Sequence, residues 1–420
     1  MKKLFLFCLL FGISNIAQAQ WEPDVRLTND TAKSYTSAGN QKNIAAEGNY
    51  VHVVWYDTRD GNMEIYYKRS IDGGLTWEPD VALTKDFGKS DRPSIDVSGA
   101  MVHVVWEDYR DDKNIELYYR RSTDNGVTWE PEFRLTNYEP WFYPPDYPPR
   151  SSIAIDGANV YVVWNDQRDG TWGEIYYKHS TDYGAKWGPD IRLTNTEFSI
   201  NPSISASEGT LNIVWAESPV TYTNIFTTRS SDGGITWSDV IPLTNTIGNS
   251  YYPSISSSGS LVVAAWNDAR NGTDTKIFYI RSTDGGESWN QDQLLTEASG
   301  YLRHANVFVS GSNIHVVWHD NNSKDIYYKC STDCGQTWGP DEKLTDSQVS
   351  VDAFVSVSGS AVYVVWQDNR DEANSEIYFK RNPTGNAVGV EEEQNTEQQN
   401  FYPNPADDLI YFDIDKKQSG

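Results

Sequence analysis

The sequence predicts an all-β chain folded as a seven-bladed β-propeller of four-stranded antiparallel blades. A unit of about 50 residues recurs seven times between Trp21 and Arg381. Six of the seven junctions carry the octet Ser-x-Asp-x-Gly-x-x-Trp, and the units alternate polar and apolar residues with almost no helical periodicity. Short strands separated by turn residues and repeated at one period are typical of propeller blades.

The octets predict hairpin turns with a structural role. Ser and Asp side chains bond nearby backbone N–H groups, Gly supplies a positive φ, and Trp buries a large ring beside the turn. The octet resembles the Asp-box, or bacterial neuraminidase repeat, of the sialidase superfamily and of other β-propellers. The resemblance implies the hairpin and does not specify an activity. The six octets begin at Ser70, Ser122, Ser180, Ser230, Ser282 and Ser331.

Each unit supplies four strands. In the first unit an alternating run at 64–70 leads into the octet, and a short run at 77–84 follows the octet tryptophan. An inner segment at 93–99 then precedes an apolar run at 101–106. The apolar run ends on a tryptophan in every unit, which predicts seven blades where familiar sialidases have six. These tryptophans are Trp55, Trp106, Trp164, Trp215, Trp266, Trp318 and Trp366.

The two ends of the repeat array predict a closed ring. The chain starts with the strand that follows an octet, at 21–28, and finishes with the strand that precedes one, at 376–381. Pairing the first strand with the last three completes blade seven and leaves no open sheet edge. Residues 382–385 replace the seventh octet at this junction.

The segments outside the repeats indicate export. Residues 1–19 read as a signal peptide, because two lysines precede an apolar stretch and an Ala-Gln-Ala cleavage site. The propeller spans 20–384, and 385–399 form an acidic linker with too few apolar residues to fold alone. The run Tyr-Pro-Asn-Pro-Ala within 400–420 resembles the start of the type IX secretion C-terminal sorting domain. We therefore expect a secreted or cell-surface protein whose mature chain does not insert into a membrane.

Composition limits the partners and cofactors. The net charge of −25 argues against nucleic acid or an anionic membrane surface. No cofactor is required; loop carboxylates leave calcium open, without a complete EF-hand loop. Cys330 and Cys334 flank the sixth octet's turn, so either a local disulfide or two free thiols is expected there. The propeller is expected to be a monomer.

An Asp-x-Arg motif follows the apolar strand in five units. In the first unit Asp57 and Arg59 precede Glu64, the acid that begins the next strand. The fourth unit has lost both the arginine and that acid, with Pro219 and Asn224 in their places. Their joint loss predicts an ion pair across the hairpin and therefore a structural role, although a ring of arginines is the alternative.

Function is sought where the repeat is broken. One column, three residues before the central apolar position of each inner strand, is polar or aromatic throughout and differs between units. We expect it at the entrance of the central tunnel, opposite the octets, where converging polar groups form a ligand site. The alternative is a solvated rim. The column contains Gln41, Arg92, Arg150, Asn201, Tyr252, His304 and Asp352.

The longest insertion, 137–150, lies on the same predicted face. Its aromatic residues, Trp141 and Tyr143 among them, stand on a proline-rich loop suited to stacking on sugar rings. Packing against a neighbouring blade is the alternative.

The sialidase resemblance assigns roles within the column. It implies Arg92 and Arg150 as ligands of a substrate carboxylate and Tyr252 as a nucleophile, with Glu217 as its base and Asp352 as acid/base. The chain lacks the family's Arg-Ile-Pro motif and a third arginine in the column.

The sequence therefore favours a secreted or cell-surface propeller that binds glycans on the face opposite the octets. A sialidase-like glycoside hydrolase or a lyase acting on acidic sugars is the second hypothesis. A protein-interaction scaffold is the third.

Overall fold

The computed structural model describes residues 20–386. Gaps within this span fall at 40, 111–114, 138–148, 170–172, 197, 219–220, 271, 273, 297–299 and 372–373. The predicted signal peptide, the linker beyond 386 and the segment 400–420 lie outside the described residues, as do Trp141 and Tyr143. Within the described part of the chain, no helix is long and apolar enough to cross a membrane.

The chain forms seven antiparallel sheets, one for each blade, which confirms the predicted propeller. Strand β1 is Val25–Arg26. Blade 1 contains β2 (Ser34–Tyr35), β3 (Ile44–Glu47), β4 (Tyr50–Asp57), β5 (Glu64–Ser70) and β6 (Val81–Ala82); blade 2 contains β7 (Ser90–Ser98), β8 (Met101–Asp108), β9 (Glu116–Ser122) and β10 (Phe133–Arg134). Blade 3 contains β11 (Ser151–Asp156), β12 (Asn159–Asp166), β13 (Glu174–Ser180) and β14 (Ile191–Arg192).

The remaining blades repeat the pattern. Blade 4 contains β15 (Ser199–Ser207), β16 (Thr210–Glu217), β17 (Asn224–Ser230) and β18 (Ile241–Pro242); blade 5 contains β19 (Ser250–Ser258), β20 (Leu261–Asp268), β21 (Lys276–Ser282) and β22 (Gln293–Leu294). Blade 6 contains β23 (Leu302–Ser310), β24 (Asn313–Asp320), β25 (Asp325–Ser331) and β26 (Glu342–Lys343). Blade 7 contains β27 (Ser350–Ser358), β28 (Ala361–Asp368) and β29 (Glu376–Asn382).

The ring closes as predicted, because β1 supplies the outer strand of blade 7. It pairs antiparallel with β29, with Val25 opposite Phe379 and Arg26 opposite Tyr378. Blade 7 thereby reaches four strands in the order β1, β29, β28, β27. Residues from the two ends of the repeat array thus share one sheet.

The hydrophobic core lies between neighbouring blades. The tryptophan two residues before the end of each second strand is almost fully buried in all seven blades. In blade 2, Trp106 packs in one cluster with Val54, Ile65 and Tyr67 of blade 1. Its indole N–H donates to the carboxylate of Asp108, two residues later, at 2.9 Å. The apolar second strands therefore fix both the blade and its contact with the next blade.

The octets hold each blade to its neighbour. In all six, the serine hydroxyl donates to the aspartate and accepts from the glycine N–H. In blade 2, Trp129 packs edge-on against Tyr67 of blade 1, with ring centroids 4.9 Å apart. Gly126 (φ 79) lies so close to Tyr67 that a Cβ would fall 1.9 Å from the hydroxyl. The octets therefore form the predicted hairpin turns and also contacts between neighbouring blades.

The Asp-x-Arg arginines form ion pairs, but with other partners than predicted. In blade 2, Arg110 contacts its own Asp108 at 2.6 Å and Glu132 of the outer-strand region at 2.7 Å. Glu116, the predicted partner, instead accepts from the hydroxyl of Thr136. The sequence showed that the fourth unit has lost both the arginine and the acid. It could not show that the arginine and the acid make separate contacts.

The two cysteines within the described residues are free. Cys330 and Cys334 are both half-buried, and neither forms a disulfide. Burial raises the pKa of the Cys330 thiol.

Candidate functional site

Five of the seven column residues share one backbone feature. The inner strands of blades 2, 4, 5, 6 and 7 each carry a β-bulge, where the register with the second strand shifts. At each bulge one column residue adopts a left-handed conformation, which is uncommon outside glycine. A bulge redirects a side chain out of the regular alternation of the strand. These residues are Arg92 (φ 48), Asn201 (φ 53), Tyr252 (φ 52), His304 (φ 50) and Asp352 (φ 52).

The bulges lie at the end of the propeller opposite the octets, as the sequence predicted. In blade 2, Asp91 pairs with Glu107 near the end of β8. The octet serine Ser122 pairs with Val102 at the other end of the same strand. We call the end that carries the column the funnel.

Blades 1 and 3 depart from this pattern at Gln41 and Arg150. The inner strand of blade 1 is divided into β2 and β3, and residues 36–39 contact four other blades. The hydroxyl of Ser37 donates to the carbonyl of Pro93 in blade 2 at 2.8 Å. The hydroxyl of Thr36 donates to the carbonyl of Asp352 at 3.0 Å. Arg150 donates from Nη1 to the carbonyl of Ala38 at 2.7 Å. A Cβ on Gly39 would lie 3.4 Å from Cδ1 of Tyr252.

Residues 36–39 therefore form a crossing segment that connects blade 1 with blades 2, 3, 5 and 7 at the funnel. The tunnel among the inner strands encloses a cavity of about 120 Å³, lined in part by Ile44, Asn306 and Val355. Sites for small molecules usually measure roughly 300–1,000 Å³. This cavity is therefore smaller than a typical site for a small molecule.

One side of the funnel combines an aspartate with two histidines. Nδ1 of His304 is hydrogen-bonded to Oδ1 of Asp352. Nδ1 of His319 lies 3.7 Å from the same oxygen and accepts from the Asp352 N–H at 3.3 Å. The ring of Tyr252 packs edge-on against His304, with centroids 4.6 Å apart. The structure thus brings three predicted site residues into one cluster with a histidine that was not predicted.

The electrostatics of this cluster follow from burial and charge. Burial alone would raise the pKa of Asp352, but the charge and hydrogen bond of His304, with His319 and Arg150, hold it below its usual value. Burial, together with the charge of the neighbouring His304, lowers the pKa of His319 to about 4. His319 is therefore neutral at pH 7, and Asp352 is a carboxylate.

Blade 2 contributes an arginine and two buried acids to the funnel. Nη1 of Arg92 donates to Oε2 of Glu107 at 2.8 Å and lies 3.8 Å from Asp91. Burial raises the pKa of Glu107, against the lowering effect of Arg92 and Arg150. Among the residues that the structure describes, no hydrogen-bond partner exists for Oε1 of Glu107 or for either amide atom of Gln41, all of which are buried. Buried polar groups usually have partners, so these atoms indicate room for water or a ligand.

The hydrogen bonds of Glu217 to Trp215 and Ser199 join it to neither cluster. Glu217 accepts from the indole of Trp215 at 2.9 Å and from Ser199 at 3.3 Å. It occupies the position that Asp108 holds in blade 2, so its contacts are those of a blade-building acid and none of them joins it to Tyr252. Asn201 stands at the bulge of blade 4.

A second column contributes to the funnel and was missed. It is the residue directly after the buried tryptophan of each blade, and it varies as much as the first column does. Glu107, Asn165 and His319 from this column bond to or lie beside Arg92, Arg150 and Asp352 of the first. Most residues of this column are polar and differ between blades, and this pattern could have identified it from the sequence. The column contains Tyr56, Glu107, Asn165, Ala216, Asn267, His319 and Gln367.

Comparisons with known proteins show the fold and no family. No protein-family model and no curated protein matches the chain. The polysaccharide lyase Uly1 is 10% identical over 86% of this chain and 99% of its own, with a TM-score of 0.58. A PL25 ulvan lyase is 11% identical over 83% and 94%, with a TM-score of 0.56. The endosialidase of phage phi92 is 10% identical over 94% and 76%, with a TM-score of 0.50.

Proposed function

We propose that the protein binds acidic glycans in the funnel. The observation that carries this proposal is the convergence of non-repeated polar side chains, held by five bulges and a crossing segment, at one end of an otherwise repetitive ring. A few oriented polar groups that converge on one place are typical of small-molecule recognition. Structures with the same fold include an ulvan lyase bound to -[GlcA(1-4)Rha3S]-, which supports a sugar ligand.

Arg150 is the residue proposed to contact the acidic group. One of its five N–H donors bonds to Ala38, which leaves donors for a bidentate contact with a carboxylate or sulfate. Within the described ranges it has no ion pair, whereas Arg92 is paired with Glu107. Arg150 also lies close enough to Asp352 and Glu107 to influence both pKa values. The positive charge of Arg150 therefore acts on the acidic groups of the funnel and is available to an acidic ligand there.

The test is binding of the purified chain to a panel of neutral, carboxylated and sulfated polysaccharides. Arg150→Gln should weaken binding of acidic members about 10–100-fold, since a hydrogen bond to a charged group contributes roughly 1.5–3 kcal/mol. Arg229→Gln is the matched control, because Arg229 also donates one N–H to a carbonyl, that of Gly285, but on the octet side. Equal losses in both variants, or binding that prefers neutral sugars, would contradict the proposal.

A second function, cleavage of the bound acidic sugar, is favoured by the contacts of Tyr252, His304 and Asp352. A carboxylate hydrogen-bonded to Nδ1 orients an imidazole for proton transfer, and a tyrosine beside it can exchange a proton or attack. Turnover would be followed as new reducing ends or unsaturated products. Tyr252→Phe and Asp352→Asn should then abolish turnover while binding remains, and binding without any turnover would leave a lectin-like propeller.

Export and a monomeric state complete the proposal. The signal peptide and the sorting segment predicted at 400–420 support a secreted or cell-surface location, which fractionation of the producing cells would test. A chain that binds no glycan but captures a protein through the funnel would favour the scaffold hypothesis.

A further inference from the structure

We propose that His304, His319 and Asp352 form a site for a divalent transition-metal ion, with zinc as the expected metal. Each residue offers one ligand atom, and the three atoms all lie within 4.8 Å of one another. The inference concerns the metal alone and does not depend on which glycan, if any, the funnel binds.

The donor set selects the class of metal. Two imidazole nitrogens and one carboxylate oxygen suit Zn²⁺ and its neighbours among the first-row transition metals. Calcium prefers six to eight oxygen ligands, so this cluster does not fit the calcium that the sequence left open. Zinc sites with three protein ligands and a fourth open position are those that bind water or substrate.

One of the distances between ligand atoms is already close to that of a tetrahedral site. Ligand atoms about 2.0–2.1 Å from zinc lie roughly 3.3 Å from one another. Nδ1 of His319 is 3.7 Å from Oδ1 of Asp352, so this pair needs little movement. His304 and Asp352 are joined by a direct hydrogen bond, which a metal between them would replace. The Asp352 N–H would give up only its 3.3 Å hydrogen bond to His319.

The surroundings hold two of the ligands in place and leave one side accessible. The side chain of Asn321 lies close enough to His319 to raise the pKa of its imidazole, and such a neighbour can act as the outer partner that orients a metal-binding imidazole. Thr36 holds the backbone of Asp352 through its carbonyl. The side chains of His304 and Asp352 keep 11% and 14% exposure, so an ion can reach them from the funnel. A metal here would stand beside Tyr252, where it could also bind a hydroxyl or acidic group of a ligand.

The test measures zinc bound to the full chain without a polyhistidine tag, by equilibrium dialysis and elemental analysis. The wild type should bind one zinc per chain at micromolar concentration. Asp352→Asn and His319→Ala should weaken binding by more than the roughly 10–100-fold that loss of an outer partner costs. His179→Gln is the control, since His179 lies at the octet end of β13 and should leave binding unchanged.

Two results would overturn the proposal. One is a wild type that binds no stoichiometric zinc, and the other is binding that survives both ligand substitutions. X-ray absorption at the zinc edge of the wild type is independent of how the variants fold. It should show two imidazoles and one carboxylate, and a spectrum without imidazole scattering would equally refute the site.

Discussion

The buried histidine His103 should make the propeller sensitive to mild acid. Its Nδ1 is hydrogen-bonded to the hydroxyl of Tyr119, and burial, helped by the charge of Arg121, lowers its pKa from 6.5 to about 3. Between pH 3 and pH 6.5, His103 is protonated in the unfolded chain and neutral in the folded chain. Stability from this group is therefore complete above pH 6.5 and is lost as pH falls. The slope is about 1.4 kcal/mol per pH unit, so at pH 5 the loss reaches about 2 kcal/mol.

The assay is urea unfolding at pH 8 and pH 5 for the wild type and His103→Asn. Blade 4 carries Asn212 at the equivalent position, buried and hydrogen-bonded to Gly285, so the substitution suits the fold. Comparing the two proteins removes the titration of all other groups. On going from pH 8 to pH 5, the wild type should lose about 2 kcal/mol more unfolding free energy than the variant does. An unchanged difference would refute the reasoning.

Three further predictions concern the ring and its thiols. Gly126→Ala should lower the unfolding free energy by more than about 2 kcal/mol, because a Cβ there overlaps a tyrosine of the preceding blade. Gly157→Ala, also at positive φ but in open space, should cost only about 1 kcal/mol in the same denaturation experiment. Removing residues 20–30 deletes β1 and exposes the edge of β29, so size-exclusion chromatography should show aggregation, and an unaltered monomer would contradict this. Alkylation without reductant, followed by peptide mass spectrometry, should find Cys330 and Cys334 both modified and Cys334 modified faster, since burial raises the pKa of Cys330; a disulfide-linked peptide would contradict it.

The architecture was predictable because its determinants are local and repeated. The octet, the alternating strand before it and the tryptophan-ended strand each appear many times, so chance similarity in one unit does not matter. Ring closure could be predicted from the two incomplete ends, and β1 pairs with β29 accordingly. The partners of the Asp-x-Arg arginines could not be predicted. The sequence contains many acids, and only the three-dimensional fold brings Asp108 and Glu132 to Arg110.

The position of the candidate site was predictable in outline only. Counting along each inner strand placed Arg92, Tyr252, His304 and Asp352 at the correct end of the ring, and their variability marked them. Their left-handed backbone could not be predicted, because the bulge arises from pairing with the second strand. His319 was missed for the same reason. It comes from a different strand, and only the bulge turns Asp352 towards it.

The five bulges also bear on how such a ring can change its ligand. The residues at the bulges are not members of the apolar clusters between blades, so replacing one alters the funnel and leaves the tryptophan layer intact. A backbone with φ near 50° disfavours β-branched side chains and accepts Asn, Asp and His more readily. Ligand specificity can thus change through single substitutions at five positions of the ring. The left-handed backbone limits which side chains are tolerated at these positions.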